Sequence, residues 1–306
     1  MKIFKAVRAP FFTASIVPIL LGGVEAARYL RGVGGSFDFL LFFLALIGGL
    51  SFHASANVIN DYFDHRGGTD NINKYYNPFS GGSRLIQDGI LTPRETLNIS
   101  LFYLFLGIAI GIYLLYRTGP LLLIFGLSGI FFTLAYSINR FGLSYIGRGL
   151  GDLTIGLSFG PIMLLGTYYV LTLKPCSPST VLLSVPVAFL ITLVLFVNGY
   201  PDYEADRITN KHSGVVSLGR KRARYAYLAM VAATYLSVIL GVVFKVIPPF
   251  ALLSLLTLPL AVKAVSTLFR EYEDPVAVVS VCGMTVGLHL LTGLLLALGI
   301  GIHIFI

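Results

Sequence analysis

The sequence predicts an all-α integral membrane protein with about nine transmembrane helices, organised as one domain over residues 1–306. Three observations carry this. The chain is 56% hydrophobic and only 12% charged, with a mean hydropathy of +0.84, far outside soluble globular usage. Its apolar residues gather into runs of about 20, the length a helix needs to cross the hydrocarbon core. Its polar residues gather into two long connections, at about 61–95 and 198–224.

The apolar runs lie at about 10–29, 38–60, 97–116, 119–138, 150–172, 180–200, 225–244, 247–268 and 276–305. The first lacks a small-residue cleavage site at signal-peptide distance and reads as a retained helix. Several contain Gly or Pro, which membrane helices tolerate where neighbours satisfy the backbone. Thr92-Pro93-Arg94-Glu95 reads as a helix start, with Thr92 as N-cap, Pro93 in the first turn and Glu95 closing a capping box. With nine spans, 17 of the 22 Lys and Arg fall on the side of the N-terminus and both long connections, and five on the other. The positive-inside rule then places the N-terminus and both connections in the cytoplasm and the C-terminus outside. The net charge of +8 is thus a local excess suited to orientation and anionic membrane lipid, and nothing points to nucleic acid. Cys176 and Cys282 define neither a disulfide framework nor a metal site.

Each long connection opens on an acidic cluster: Asn60-Asp61-Tyr62-Phe63-Asp64, and Asn198 through Asp206. With Asp70 these hold six of the chain's 14 acidic residues. Carboxylates at the end of a membrane helix are costly unless a cation neutralises them, and oxygen ligands with some amide suit a hard cation such as Mg²⁺. If the second run continues as a helix, Asn60, Asp61 and Asp64 project to one side. Asn198, Asp202 and Asp206, spaced by four, form a second stripe, with Pro201 interrupting the helix nearby. Two facing stripes would hold about two Mg²⁺ ions, and diphosphate is the natural partner ligand. Asp70 is a further candidate ligand.

Arg66, Lys74, Arg84 and Lys211 follow the clusters and suit a departing diphosphate, the plain alternative being ion pairs with the carboxylates or with lipid head groups. Gly67-Gly68 and Gly81-Gly82 allow sharp turns or close backbone approach to a ligand. Most of the 23 Phe and 17 Tyr are expected to pack or face lipid. Tyr136, Tyr145, Tyr168 and Tyr200 are candidates to face an electron-poor intermediate. His65 and His212 are weaker candidates for ligand contact, and His289 and His303 read as packing residues. No nucleophile motif or P-loop stands out, and Gly147-Arg148-Gly149-Leu150-Gly151 lacks the strand and spacing of a dinucleotide turn.

The pair Asn60-Asp61-x-x-Asp64 and Asp202-x-x-x-Asp206 resembles the UbiA superfamily of intramembrane aromatic prenyltransferases, over nearly the whole chain. The family's first motif usually carries a third Asp four residues after the second; here Gly68 stands there, and the next acid is Asp70. That departure resembles the branch that prenylates 1,4-dihydroxy-2-naphthoate in menaquinone synthesis. So do Asn77–Arg84, Tyr145–Asp152, Phe159-Gly160-Pro161 and Gly166-Thr167-Tyr168-Tyr169, although Asp152 is more often Glu in that branch. The resemblance implies helices around a central cavity open to lipid, capped on the cytoplasmic side by the two connections. It implies two Mg²⁺ held by Asn60, Asp61, Asp64, Asn198, Asp202 and Asp206, a polyprenyl diphosphate donor and a small aromatic acceptor. Tyr136, Tyr145, Arg148 and Asp152 would lie near the acceptor or the cation. Related enzymes acting on geranylgeranylglyceryl phosphate, 4-hydroxybenzoate or haem remain as alternatives. A transporter is the non-enzyme alternative, but its polar site belongs near mid-membrane rather than at one face.

Overall fold

A backbone in hydrocarbon must satisfy its own hydrogen bonds, and the apolar runs do so as helices. The computed structural model describes residues 2–138 and 142–305. Among these, eight helices are long and apolar enough to cross a membrane, and a ninth is shorter. In chain order they are α1 (Ala9–Gly32), α2 (Phe39–Gly67), α3 (Pro93–Thr118), α4 (Leu122–Ser137), α5 (Leu150–Thr172), α6 (Pro178–Asn198), α7 (Arg220–Val243), α8 (Pro249–Glu271) and α9 (Val279–Ile302). The short one, α4, fills the expected run at 119–138 but has only 16 residues, about 24 Å of helix. No strand occurs among the described residues.

The helix ends follow local chemistry. Asp38 caps α2, accepting from the Leu41 amide at 3.0 Å. The Thr92–Glu95 capping box opens α3 as its sequence predicts. Ser177 caps α6 by accepting from the Thr180 amide. The helix α2 runs seven residues beyond its apolar stretch and stops at Gly68, whose left-handed φ of 86° ends it. This overrun carries the first acidic stripe on rigid helix. The helix α5 is broken by a π-helical turn over Ser158–Ile162 that contains Pro161. There α5 lies so close to α6 that a Cβ on Gly160 would come within 2.6 Å of Ala188 Cβ.

The pairs α2–α3, α1–α5, α6–α7 and α8–α9 pack along each other, and α9 also lies against α1 and α6. One core joins α6, α7, α8 and α9 around Leu193, Tyr227, Leu268 and Leu288. The other half, α1 to α5, surrounds a half-open apolar cavity of about 340 Å³ lined by residues including Gly48, Phe52, His53, Tyr136, Ile155 and Phe159. Between the helices run the two long connections, which contain the short helices Thr69–Ile72, Tyr203–Ile208 and Gly214–Leu218.

Candidate active site

The ends of α2 and α6 and the two long connections meet in one buried polar cluster. Asp61 and Asp64, one turn apart on α2, are 4% and 5% exposed. Asp61 pairs with the Arg8 guanidinium and accepts from the Ser83 amide at 3.1 Å. Asp64 accepts from Lys211 Nζ at 2.8 Å and from the Tyr145 hydroxyl at 3.3 Å. Asn60 lies half-buried on the same helix. The first acidic stripe therefore stands as its spacing predicts.

The second stripe is built differently from the continuous helix that the four-residue spacing suggests. The helix α6 ends at Asn198, a turn covers Gly199–Asp202, and Tyr203–Ile208 starts a separate helix. Pro201 cannot donate to the α6 ladder, which is the physical reason for the break. The three residues nonetheless stay in the cluster. Asn198 donates to the Phe79 carbonyl at 2.9 Å, and Asp202 accepts from Asn73 Nδ2 at 2.7 Å. Asp206 is buried within electrostatic reach of Lys211, Asp202 and Asp64. The first connection is thus bound to the second, and Thr69 and Thr209 join them again through their hydroxyls at 2.9 Å.

Burial beside Asp64 and Asp61 raises the Asp70 carboxyl to about 8. Its Oδ2 is sealed from solvent without a hydrogen-bond partner among the described residues, as is Asn198 Oδ1. Gly82, at φ +76°, leaves room for that carboxylate, since any Cβ there would collide with it. Burial also raises Asp202, and raises Asp206 well above the carboxylate range. Burial works against the Lys211 charge, but Asp64 and Asp206 more than reverse it and hold its ammonium well above its ordinary value. Tyr145, pushed up to about 12 by burial and by Asp64, stays a phenol that donates.

The other expected residues divide. Arg84 is brought in: half-buried at φ 65°, it donates to the Asp70 carbonyl and lies 4.5 Å over the Tyr76 ring. Tyr136 lines the apolar cavity and lies within electrostatic reach of Lys211, so cavity and cluster adjoin. Asp152, in the first turn of α5, accepts from the Gly214 amide at 2.8 Å. With the His212 amide on the Ser144 carbonyl at 3.0 Å, this docks the second connection onto the α4–α5 corner. Arg66, Lys74 and Arg148 are exposed and not gathered in, and Arg66 donates to Tyr62 instead. Tyr168 packs with Tyr29, near Ser177 and Thr180 at the start of α6, away from the cluster. Tyr200 is buried with its hydroxyl on the Arg220 carbonyl. His65 is bonded to Asn71 at 3.2 Å.

Two members of the cluster carried no recognisable local signal. Arg8 meets Asp61 across 53 residues, and Asn73 meets Asp202 across 129. Arg8 sits just before α1 with φ 51°, a backbone state rare for a residue with a side chain.

The donor set is all oxygen: four or five carboxylates and two amides, two of them with buried unpaired oxygens. That fits a hard divalent cation. Among the described residues, no three acidic, His or Cys side chains converge as a ready metal cage. In the first stripe, cationic side chains hold the carboxylates instead.

The UbiA prenyltransferase family model matches residues 15–281, most of the chain and both acidic stripes. The chain belongs to the UbiA prenyltransferase family. Among its relatives, a 1,4-dihydroxy-2-naphthoate octaprenyltransferase of Bacillus subtilis is 26% identical over 99% of this chain and 93% of that protein. One of the same name from Escherichia coli is 30% identical over 93% of this chain and 91% of that protein. A solved UbiA homolog from Archaeoglobus fulgidus, bound to DMAPP and Mg²⁺, superimposes with a TM-score of 0.67 over 97% of this chain and 99% of that one, at 15% identity. This UbiA-family chain is accordingly an integral membrane prenyltransferase with the family's all-helical fold.

Proposed function

We propose that this prenyltransferase transfers a polyprenyl group from a polyprenyl diphosphate to 1,4-dihydroxy-2-naphthoate, with Mg²⁺ as cofactor. The observation that carries the reading is the convergence of two Asn/Asp sets at one end of the bundle, directly beside an apolar cavity. The relatives named as naphthoate octaprenyltransferases support the acceptor, and the homolog solved with DMAPP and Mg²⁺ supports the donor and the metal. The charge asymmetry supports a cap facing the cytoplasm, with the N-terminus inside and the C-terminus outside.

Asn60, Asp61, Asp64, Asn198, Asp202 and Asp206 would hold two Mg²⁺, with Asp70 as a further ligand. When bound, the metal neutralises charge developing on the diphosphate as its bond to the prenyl carbon breaks. Lys211 and Arg8 supply positive charge to the same leaving group once Asp64 and Asp61, which they now meet, are otherwise engaged, and Arg84, now on the Asp70 carbonyl, adds to it. The isoprenoid tail finds its place in the cavity, where each buried CH₂ contributes about 0.8 kcal/mol. Tyr136 lines the cavity within reach of Lys211 and Tyr145 donates to Asp64, and a ring face turned to the allylic carbon would stabilise positive charge there by roughly 0.5–2 kcal/mol. The naphthoate ring is electron-rich at the carbon bearing the carboxyl group. Its attack forms the C–C bond, the C–O bond to diphosphate breaks, and loss of CO₂ restores aromaticity.

The test is to supply carboxyl-labelled 1,4-dihydroxy-2-naphthoate and a prenyl diphosphate to the purified protein with Mg²⁺. Labelled CO₂ should appear in step with diphosphate and prenylated product. Prenylation of 4-hydroxybenzoate or geranylgeranylglyceryl phosphate with no turnover of the naphthoate would refute the acceptor.

A further inference from the structure

His53 lies on the helix face that carries the first acidic stripe, seven residues and about 10 Å before Asn60. It is 5% exposed, and it lines the apolar cavity. Its Nδ1 is bonded to the buried Ser15 hydroxyl of α1 at 2.7 Å. Its ring is wedged between Phe12 at 5.3 Å and Phe159 at 4.8 Å. The ring is thus fixed from three sides, and Nε2 makes no hydrogen bond among the described residues. A polar nitrogen held rigidly on the wall of an apolar cavity is costly unless an occupant satisfies it. An isoprenoid tail brings no polar atom and cannot. A hydroxylated aromatic ring can.

We propose that His53 is an acceptor-binding residue: its Nε2 hydrogen-bonds a ring hydroxyl of the aromatic acceptor, and Ser15 is the positioning residue that holds the imidazole in that orientation. The proposal rests on the acceptor reading above. In the tautomer that donates Nδ1–H to Ser15, Nε2 keeps a lone pair that can accept from a phenolic O–H. Tyr136 lines the same cavity on the side of Lys211, so a flat bicyclic ring seated between them meets aromatic surface at one end and a hydrogen-bond acceptor at the other. The contact selects acceptors with a hydroxyl at that place and adds nothing to donor binding. A site built to pair a ligand hydroxyl rejects the analogue that lacks it.

Binding can be read without turnover. The chain has no Trp, so the fluorescence of 1,4-dihydroxy-2-naphthoate, titrated anaerobically against detergent-purified protein, reports its Kd directly. His53→Leu should weaken that Kd about 10-fold, with Ser15→Ala intermediate and His53→Gln retaining most of the affinity. The Kd for the prenyl diphosphate should stay within about twofold. The comparison ligand 1-hydroxy-2-naphthoate, which lacks one hydroxyl, should bind wild type more weakly than the parent does, and His53→Leu should bind the two alike. His53→Phe, which keeps a ring between Phe12 and Phe159, serves the same comparison if the Leu variant does not fold. Either variant binding both naphthoates as wild type does, or losing donor affinity equally, overturns the proposal, as does a wild type that binds no naphthoate. Wild type that binds the naphthoate but releases no CO₂ would overturn the proposed reaction and leave the His53 contact standing.

Discussion

Lys211 is where the structure makes the sharpest demand. Its Nζ lies 2.8 Å from Asp64 Oδ2, and the two side chains are only 12% and 7% exposed, so solvent screens the pair weakly. Asp206 shares the same charge. Lys211→Met keeps much of the aliphatic stem and removes the ammonium. In the metal-free protein this leaves buried carboxylate charge uncompensated, which costs about 3–5 kcal/mol for a buried pair broken from one side. Mg²⁺ without substrate should therefore bind the variant more tightly than wild type, because no ammonium competes for Asp64. The prenyl diphosphate should bind more weakly, since one charge-assisted contact to the leaving group contributes about 1.5–3 kcal/mol, or roughly 10- to 150-fold. Calorimetric titration with Mg²⁺ alone, then with an unreactive thiolo-diphosphate analogue in Mg²⁺, reads both effects. A variant with unchanged affinity for the analogue, or with weaker Mg²⁺ binding, would show that Lys211 is a structural ion-pair partner only.

Three other outcomes follow from the same geometry. Asp61→Ala and Asp202→Ala should abolish turnover while keeping the helical circular dichroism and a monodisperse gel-filtration peak; full activity of either at low Mg²⁺ would sink the two-stripe site. Arg66→Ala and Lys74→Ala, at exposed positions outside the cluster, should leave the KM for the prenyl diphosphate within about twofold; a tenfold rise would show that the cap closes over the substrate and brings them in. In the metal-free protein Asp70 titrates near 8, and Asp202 and Asp206 are raised as well, whereas the unfolded chain releases these protons near 4. The folded state thus holds more protons between about pH 4 and 8, and thermal stability should fall as pH rises through that window. Saturating Mg²⁺ should flatten the slope, and a metal-free midpoint that climbs with pH would contradict the burial of these carboxylates.

The helices were legible because hydropathy is a property of contiguous sequence. The start of α3 could be placed to the residue because Thr92 and Glu95 act on each other within one turn. The expected ninth span was harder, since the apolar run at 119–138 includes the turn before Leu122, which helix length counts and hydropathy does not. In the first stripe, the sequence sufficed because α2 simply continues, and helical spacing then puts Asn60, Asp61 and Asp64 on one side.

The second stripe shows where such reasoning ends. Asn198, Asp202 and Asp206 are spaced as though on one helix, and the chain breaks between the first two. What keeps them together is not their own periodicity but cross-links from the first connection: Asn73 to Asp202, and the Phe79 carbonyl to Asn198. Arg8 enters the cluster the same way, from the residue just before α1. Each of these contacts joins residues more than 50 apart, and no local pattern encodes them. They also explain why Arg66 and Lys74, which follow the first acidic cluster more closely than Arg84 does, stay outside. Arg66 lies one turn past Tyr62 on α2 and stacks there, whereas Arg84 follows the Gly81–Gly82 turn, which bends the chain back over Asp70. Membership in this site is decided by where a loop returns, and proximity in sequence to an acidic cluster is a weak guide to it.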